Sequence, residues 1–193
     1  IGAGAQGALQ LKALCLVRPI EQAAIWARDP SKAKALAKRL TKELDINVTA
    51  AQDISNAVTE ADIIVTTTPA STPLIMSNWL RPGQHITAMG SDQHHKNELQ
   101  SECLVRANLY VPDRQSQTEK LGELHHALND GLIDSNKIFP ELGNIVAGLT
   151  TGRRSADDIT ICDLTGTGVQ DTAIATLALQ CAESSGAGTQ FNN

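Results

Sequence analysis

The chain has 193 residues, 41% hydrophobic and 19% charged, enough apolar side chains to bury the core of one domain or slightly more. Its 16 basic residues against 21 acidic give a net charge of −5, which argues against a general nucleic-acid or anionic-membrane binder, since those carry a basic patch. No window nears the ~18–20 apolar residues of a membrane-spanning helix. Cys15, Cys103, Cys162 and Cys181 lie far apart without a CxxC pair, which speaks against structural zinc or a disulfide framework and for a reduced, cytoplasmic setting.

Residue 1 is Ile, and Gly2 already opens a glycine-rich turn. Such turns follow a buried strand, so the chain is expected to lack upstream sequence, including most of that strand. After Gly2–Gly7, the Ala/Leu-rich stretch Ala8–Val17 reads as a helix stopped by Arg18-Pro19. Ala23–Trp26 reads as a strand. Lys32–Leu44 reads as an amphipathic helix, with Ala33, Leu36, Ala37, Leu40 and Leu44 at helical spacing. Val48–Ala50 is a weak strand, followed by a short helix capped by Asp53 or Ser55. The β-branched run Asp62–Thr68 and Gln84–Met89 are strands. Lys96–Arg106 reads as a helix, Leu109–Val111 as a strand, and Thr118–Asn129 as one helix stopped by Gly131. Leu142–Gly148 is a short helix and Ile159–Asp163 a strand. Gly168–Ser184 is a long helix, and Gly186–Asn193 a loose tail. Strands alternating with helices predict an α/β fold, doubly wound around a mostly parallel sheet.

GxGxxG alone is weak, but here it opens a helix and is followed by a strand ending about 25 residues on, the context of a dinucleotide-binding turn. Gly2 permits the tight turn, Gly4 the approach of a pyrophosphate, and Gly7 close helix packing. The helix N-terminus, with Ala5 and Gln6, offers free N–H groups to phosphate. NAD binders often place an acid at the end of the second strand. Ala27 stands there instead, followed by Arg28. A small residue and a guanidinium suit a 2′-phosphate, so NADP is favoured over NAD. Ser31 and Lys32 are further donors, whereas Asp29 either faces the ribose or caps the helix. Arg28 as an ordinary surface arginine is the plain alternative.

In a parallel sheet, ligands sit beyond the strand C-termini. Thr67, Thr68 and Pro69 end one strand, and Met89 and Gly90 end the next, where a nicotinamide ring would lie. Asp92, two residues further, is placed for proton transfer, with Lys96 to pair with it. The alternatives are a turn residue and a surface charge. His94-His95 and His125-His126 are adjacent pairs whose side chains point about 100° apart on a helix, so neither is a chelate, and no metal is expected. No GxSxG or Cys–His arrangement supports nucleophilic hydrolysis.

These segments resemble the ornithine cyclodeaminase/mu-crystallin family. The likeness rests on GAGAQG, ALCLVRPIEQAAIWARDPSKA, ADIIVTTTPASTPLI, GSDQHHKNEL, FPELGNIVAGLTTGR and DLTGTGVQDTAIATLAL, in order along nearly the whole chain. The TGTGVQD ending is also similar to members linked to ectoine utilisation. The resemblance implies a Rossmann-like nucleotide-binding part over residues 1–163. It also implies a turn and helix over 164–193 that return toward a substrate-binding, dimer-forming part built from N-terminal residues. Those residues, with the basic ones that hold the substrate carboxylate, are expected to be absent here. Asp92 falls on the family's catalytic aspartate in the pattern G-x-D-x-x-x-K-x-E-L, and Lys96 on its lysine. Thr165 and Gly166 fall on the turn that approaches the nicotinamide, although TGTG departs from the usual S-x-G. Arg28 matches the arginine that NADPH-using members present.

The implied chemistry is hydride transfer between a nicotinamide cofactor and an amino acid or cyclic imine, as an ornithine cyclodeaminase, imine reductase or amino-acid dehydrogenase, with Asp92 handling protons. The implied partners are a small amino-acid or imine substrate and a second copy in a homodimer, with neither nucleic acid nor membrane. Two other readings stand beside it. One is a crystallin-like protein that binds NADPH and a small ligand without turnover. The other is a fragment inactive and unstable alone, because two strands would keep open inner edges.

Overall fold

The computed structural model describes residues 1–189, so the end of the tail expected from Gly186 to Asn193 lies outside the described residues. Helix α1 spans Ala5–Val17, followed by strand β1 (Gln22–Ile25), α2 (Pro30–Leu44) and β2 (Asn47–Ala50). Next come α3 (Ile54–Glu60), β3 (Ile63–Thr66) and β4 (His85–Ala88). The rest is α4 (Glu102–Arg106), β5 (Leu109–Pro112), α5 (Gln115–Thr118), α6 (Gly122–Asn129), α7 (Leu142–Val146), β6 (Thr160–Asp163) and α8 (Gly168–Ser185).

Every strand pair is parallel, as the alternation of elements predicts. The strands form two sheets, β1-β2 and β3-β4-β6-β5. At one end, Ile1 and Gly2 bridge them. The Gly2 N–H donates to Trp26 O beyond β1 at 2.8 Å, the Ile1 amine donates to Val65 O in β3 at 2.7 Å, and the Thr67 N–H donates back to Ile1 O at 2.9 Å. β1 and β3 do not pair with each other.

Two apolar cores result. Around β1-β2, Ala33, Leu36, Ala37 and Leu40 of α2 are buried with Ile25, Val48 and Ala8. That is the face the helical spacing selects, and burial of a leucine such as Leu40 is worth about 1.5–3 kcal/mol. Asp29 begins α2, because its carboxylate accepts from the Ser31 N–H, and Pro30 occupies the first helical position. The larger core, with Ile64, Ile86, Leu99, Tyr110, Leu124 and Ile161, lies about the four-stranded sheet.

Two expected helices are corrected. Residues 96–101 are not helical, and α4 begins only at Glu102. The segment runs extended beside 70–75: the Leu74 and Ile75 N–H groups donate to Glu98 O, and the Gln100 N–H donates to Ile75 O. The long helix expected over Thr118–Asn129 is two, α5 and α6. Gly122 has φ +69°, and Asp163 at the end of β6 accepts from the Glu123 and Leu124 N–H groups, starting a new helix there. Tertiary hydrogen bonding overrides the local pattern at both places.

Candidate functional site

The glycine turn sits where the two sheets meet. Gly2 has φ +111°, and a Cβ there would lie 2.6 Å from Thr67 Oγ1. A Cβ on Gly7 would lie 2.5 Å from Gly2 O, so the turn closes against the helix it opens. Above Gly4 there is nothing within 4 Å. No side chain caps α1, so its first-turn N–H groups face that open space without a protein acceptor.

Beside the turn, Gln6, Thr67, Thr68, Pro69, Met89, Gly90, Asp92 and Lys96 line a crevice of about 210 Å³. Eight residues singled out in the sequence thus converge from three segments. The reason is topological: β3 and β4 are adjacent and parallel, so the chain leaving each ends on the same edge. Packing there is tight. A Cβ on Gly90 would lie 2.4 Å from both Thr68 O and Glu98 Oε2, so only glycine lets the β4 exit lie against the β3 exit.

Asp92 and Lys96 meet through a turn rather than along a helix. The Lys96 N–H donates to Gln93 O at 2.9 Å, and the Ser91 hydroxyl donates to Lys96 O. His126 Nε2 lies 2.6 Å from the same carbonyl. A carbonyl only accepts, so this nitrogen carries the proton. The folded loop brings Lys96 Nζ to 2.5 Å from Asp92 Oδ1. The lysine side chain is 17% exposed and the aspartate side chain 48% exposed at the crevice mouth.

The remaining expected residues lie outside the crevice lining. Ala5 is exposed with Gly4 at the start of α1. Arg28 is exposed just past β1. Asp29 beside it is engaged, accepting from the Ser31 N–H at 2.9 Å and the Ser31 hydroxyl at 2.6 Å. Those bonds hold its carboxyl below the usual carboxylate range. Thr165 and Gly166 follow β6, where their N–H groups donate to Asp113 Oδ2 at 2.8 and 2.9 Å. Gln117 Nε2 donates to Thr165 Oγ1 at 2.9 Å. The Leu164 N–H donates to Ala88 O at 2.8 Å, which sets this turn next to the β4 exit.

Sequence reasoning passed over three buried acids that support the crevice. Glu98 Oε1 accepts from the Thr68 N–H and Oε2 from the Gly90 N–H. Glu123 accepts from the Glu98 N–H, the Leu99 N–H and Asn97 Nδ2, each at 3.0 Å. Asp163 Oδ2 accepts from the Tyr110 hydroxyl at 2.6 Å and from the first turn of α6, while its Oδ1 is buried without a partner. Burial pushes the Asp163 carboxyl up to about 7 against those hydrogen bonds. Burial, then the charge of Asp163, raises Glu123 and Tyr110 well above their ordinary values. Glu98 stands in G-x-D-x-x-x-K-x-E-L, which was the available signal for it. Glu123 had none, since it falls inside Thr118–Asn129, read as one plain helix.

A nicotinamide dinucleotide fits these residues: a glycine turn with open space above it, unclaimed N–H groups, and a crevice at the strand ends. Among the described residues no group of three or more His, Cys, Asp or Glu is placed to hold a metal ion, and no helix is long and apolar enough to cross a membrane. Fold and site together define a Rossmann-like α/β domain of the kind that holds dinucleotides. Solved structures agree. The Thermococcus litoralis Delta(1)-pyrroline-2-carboxylate reductase, in complex with NADH and L-proline, superposes with a TM-score of 0.93 at 32% identity, over 98% of this chain and 59% of that one. An archaeal alanine dehydrogenase dimer with bound NAD superposes with a TM-score of 0.91 at 32% identity, over 99% of this chain and 58% of that one. An uncharacterised cyclodeaminase of Sinorhizobium fredii is 57% identical over 192 residues, 100% of this chain and 58% of the relative. The chain belongs to the ornithine cyclodeaminase/mu-crystallin family, whose model matches residues 1–186. It spans under two thirds of the length of each of these relatives.

Proposed function

We propose that the protein carrying this chain is a nicotinamide-dependent oxidoreductase of amino acids or their imines, in the range from cyclodeaminase to imine reductase and amino-acid dehydrogenase. The observation that carries this reading is the convergence of an open glycine turn and a crevice holding Asp92 on one sheet edge. Gly4, Ala5, Gln6 and Gly7 seat the diphosphate, with the unclaimed backbone N–H groups at the start of α1 as donors, while Gly2 shapes the turn that holds them. Thr67, Thr68, Pro69, Met89, Gly90 and the Thr165-Gly166 turn flank the ring. When bound, the coenzyme accepts or donates the hydride. Asp92 takes up or returns the proton of the substrate nitrogen at its carboxylate, and Lys96 holds that carboxylate in place.

NADP is the proposed coenzyme. The solved neighbours hold NAD or NADH, but here Arg28 is exposed past β1 and the neighbouring acid is committed to its helix cap. Residues 164–193 form the proposed return to a substrate-binding part and a homodimer. In support, α8 has no buried residue and exposes Val169, Ile174, Leu177 and Leu179. A cytoplasmic setting suits the four free cysteines.

The test is Asp92→Asn in the whole polypeptide encoded by the reading frame. Coenzyme affinity is expected to persist while hydride transfer falls by about 10²–10⁴-fold, followed by nicotinamide absorbance over a panel of amino acids and cyclic imines. A parent protein that binds coenzyme tightly yet turns over no member of the panel is a binder, and one that binds neither coenzyme overturns the reading.

A further inference from the structure

Two features of the crevice floor are not used by the reaction as described: the buried Glu98 carboxylate and the absence of room for a side chain at Gly90. They are one device. The last regular contact between the β3 and β4 exits is the Met89 N–H donating to Thr66 O at 3.2 Å. Beyond it the strands have no further rung, and the next inward donors, the Thr68 and Gly90 N–H groups, would be left without acceptors. Glu98, fully buried, supplies both acceptors: Oε1 takes the Thr68 N–H at 2.5 Å and Oε2 the Gly90 N–H at 2.8 Å. Its own backbone is fixed on both sides. The Glu98 N–H donates to Glu123 Oε1, and the Glu98 carbonyl accepts from Leu74 and Ile75. No lysine or arginine is paired with it among the described residues.

We infer that Glu98 is a positioning residue: it ties the two strand exits together and so sets how far the Asp92 loop stands from the ring-binding wall at Thr67–Pro69. This deepens the function proposed above and rests on it. A carboxylate places one oxygen on each of the two converging N–H donors. A glutamine offers one acceptor and turns its own NH₂ toward the other donor, at unchanged volume. Among the described residues the Glu98 carboxylate bonds to the two strand exits and makes no hydrogen bond to the Gly2–Gly7 turn, so the larger effect falls on rate and the smaller on coenzyme affinity.

The experiment is Glu98→Gln in the whole polypeptide, with amide exchange at Thr68 and Gly90 read by NMR beside NADPH titration and steady-state rates. Amide exchange at one or both positions is expected to quicken at least about tenfold, and kcat to fall about 100-fold, while the NADPH dissociation constant stays within about threefold. A purely structural carboxylate would lower the melting temperature and leave kcat per folded molecule unmoved. Accordingly, a kcat within about twofold of the parent overturns the inference, whatever the amides do. If the parent transfers no hydride, the function proposed above fails, and the clamp is then judged on exchange alone, unchanged protection at both amides overturning it. Should E98Q not fold, Glu98→Asp, which keeps both acceptors on a shorter arm, carries the same measurements.

Discussion

Lys96 Nζ lies 2.5 Å from Asp92 Oδ1, although the two residues share no helix. Their four-residue separation is closed by the turn from Gln93 to Lys96 and by the Ser91 hydroxyl on Lys96 O. The ion pair is therefore a property of the loop, and the loop is anchored to α6 through His126. Replacing Lys96 with Met keeps the stem and removes the cation. With the aspartate side chain 48% exposed, solvent screens the pair, so a modest effect is expected: kcat about 3–10-fold lower, with coenzyme affinity unchanged. Steady-state kinetics at saturating coenzyme checks it, and an unaltered kcat would reduce Lys96 to a bystander.

What could be read from the sequence divides along a physical line. Helix α2 was legible because the spacing of Ala33, Leu36, Ala37 and Leu40 reports on local structure alone, although the helix starts at Pro30, two residues before the Lys32 read for it. The crevice was legible for a related reason: in a parallel α/β sheet, whatever follows a strand lies at its functional edge, so Thr67–Pro69 and Met89–Asp92 were placed by strand order alone. The Lys96–Arg106 and Thr118–Asn129 helices failed where partners distant in the chain decide. Glu98 reaches Thr68 across 30 residues, and Asp163 reaches Glu123 across 40. A buried acid satisfied by remote backbone N–H groups leaves no periodic trace. Glu123 inside Thr118–Asn129 therefore looked like any other helical residue.

The proposed preference for NADP rests on Arg28. Asp29 and the Ser31 hydroxyl are bonded to each other, while the Arg28 side chain is exposed just past β1. Arg28→Ala is expected to weaken NADPH binding about tenfold, the worth of one charge-assisted contact, and to leave NADH binding within experimental error. Fluorescence titration of both coenzymes decides. Equal losses for the two would place Arg28 away from the 2′-phosphate, and a parent that prefers NADH would reverse the assignment.

The two buried acids Asp163 and Glu123 contribute to stability with the same pH dependence. Burial pushes the Asp163 carboxyl up to about 7, above its value in an unfolded chain, so the folded state binds more protons between roughly pH 4 and 7. The stability this group contributes is full below the unfolded value and is lost as pH rises through 7. Glu123 adds to the same trend, since burial and then the charge of Asp163 raise it. Surface acids such as Asp53, held low by hydrogen bonds from Ser55 and Asn56, act in the opposite direction. The difference between parent and variant, rather than either curve alone, reports Asp163 together with the part of the Glu123 shift that its charge causes. Asp163→Asn keeps an oxygen for Tyr110 and the first turn of α6, and it puts an amide where the unpartnered Oδ1 lies. Relative to the parent, this variant is expected to gain stability steadily from pH 4 to 8, on the order of a few kcal/mol in all. Urea denaturation across that range measures the gap. Parallel curves would mean that Asp163 stays ionised in the folded protein, held by the Tyr110 hydroxyl and the α6 amides in spite of its burial.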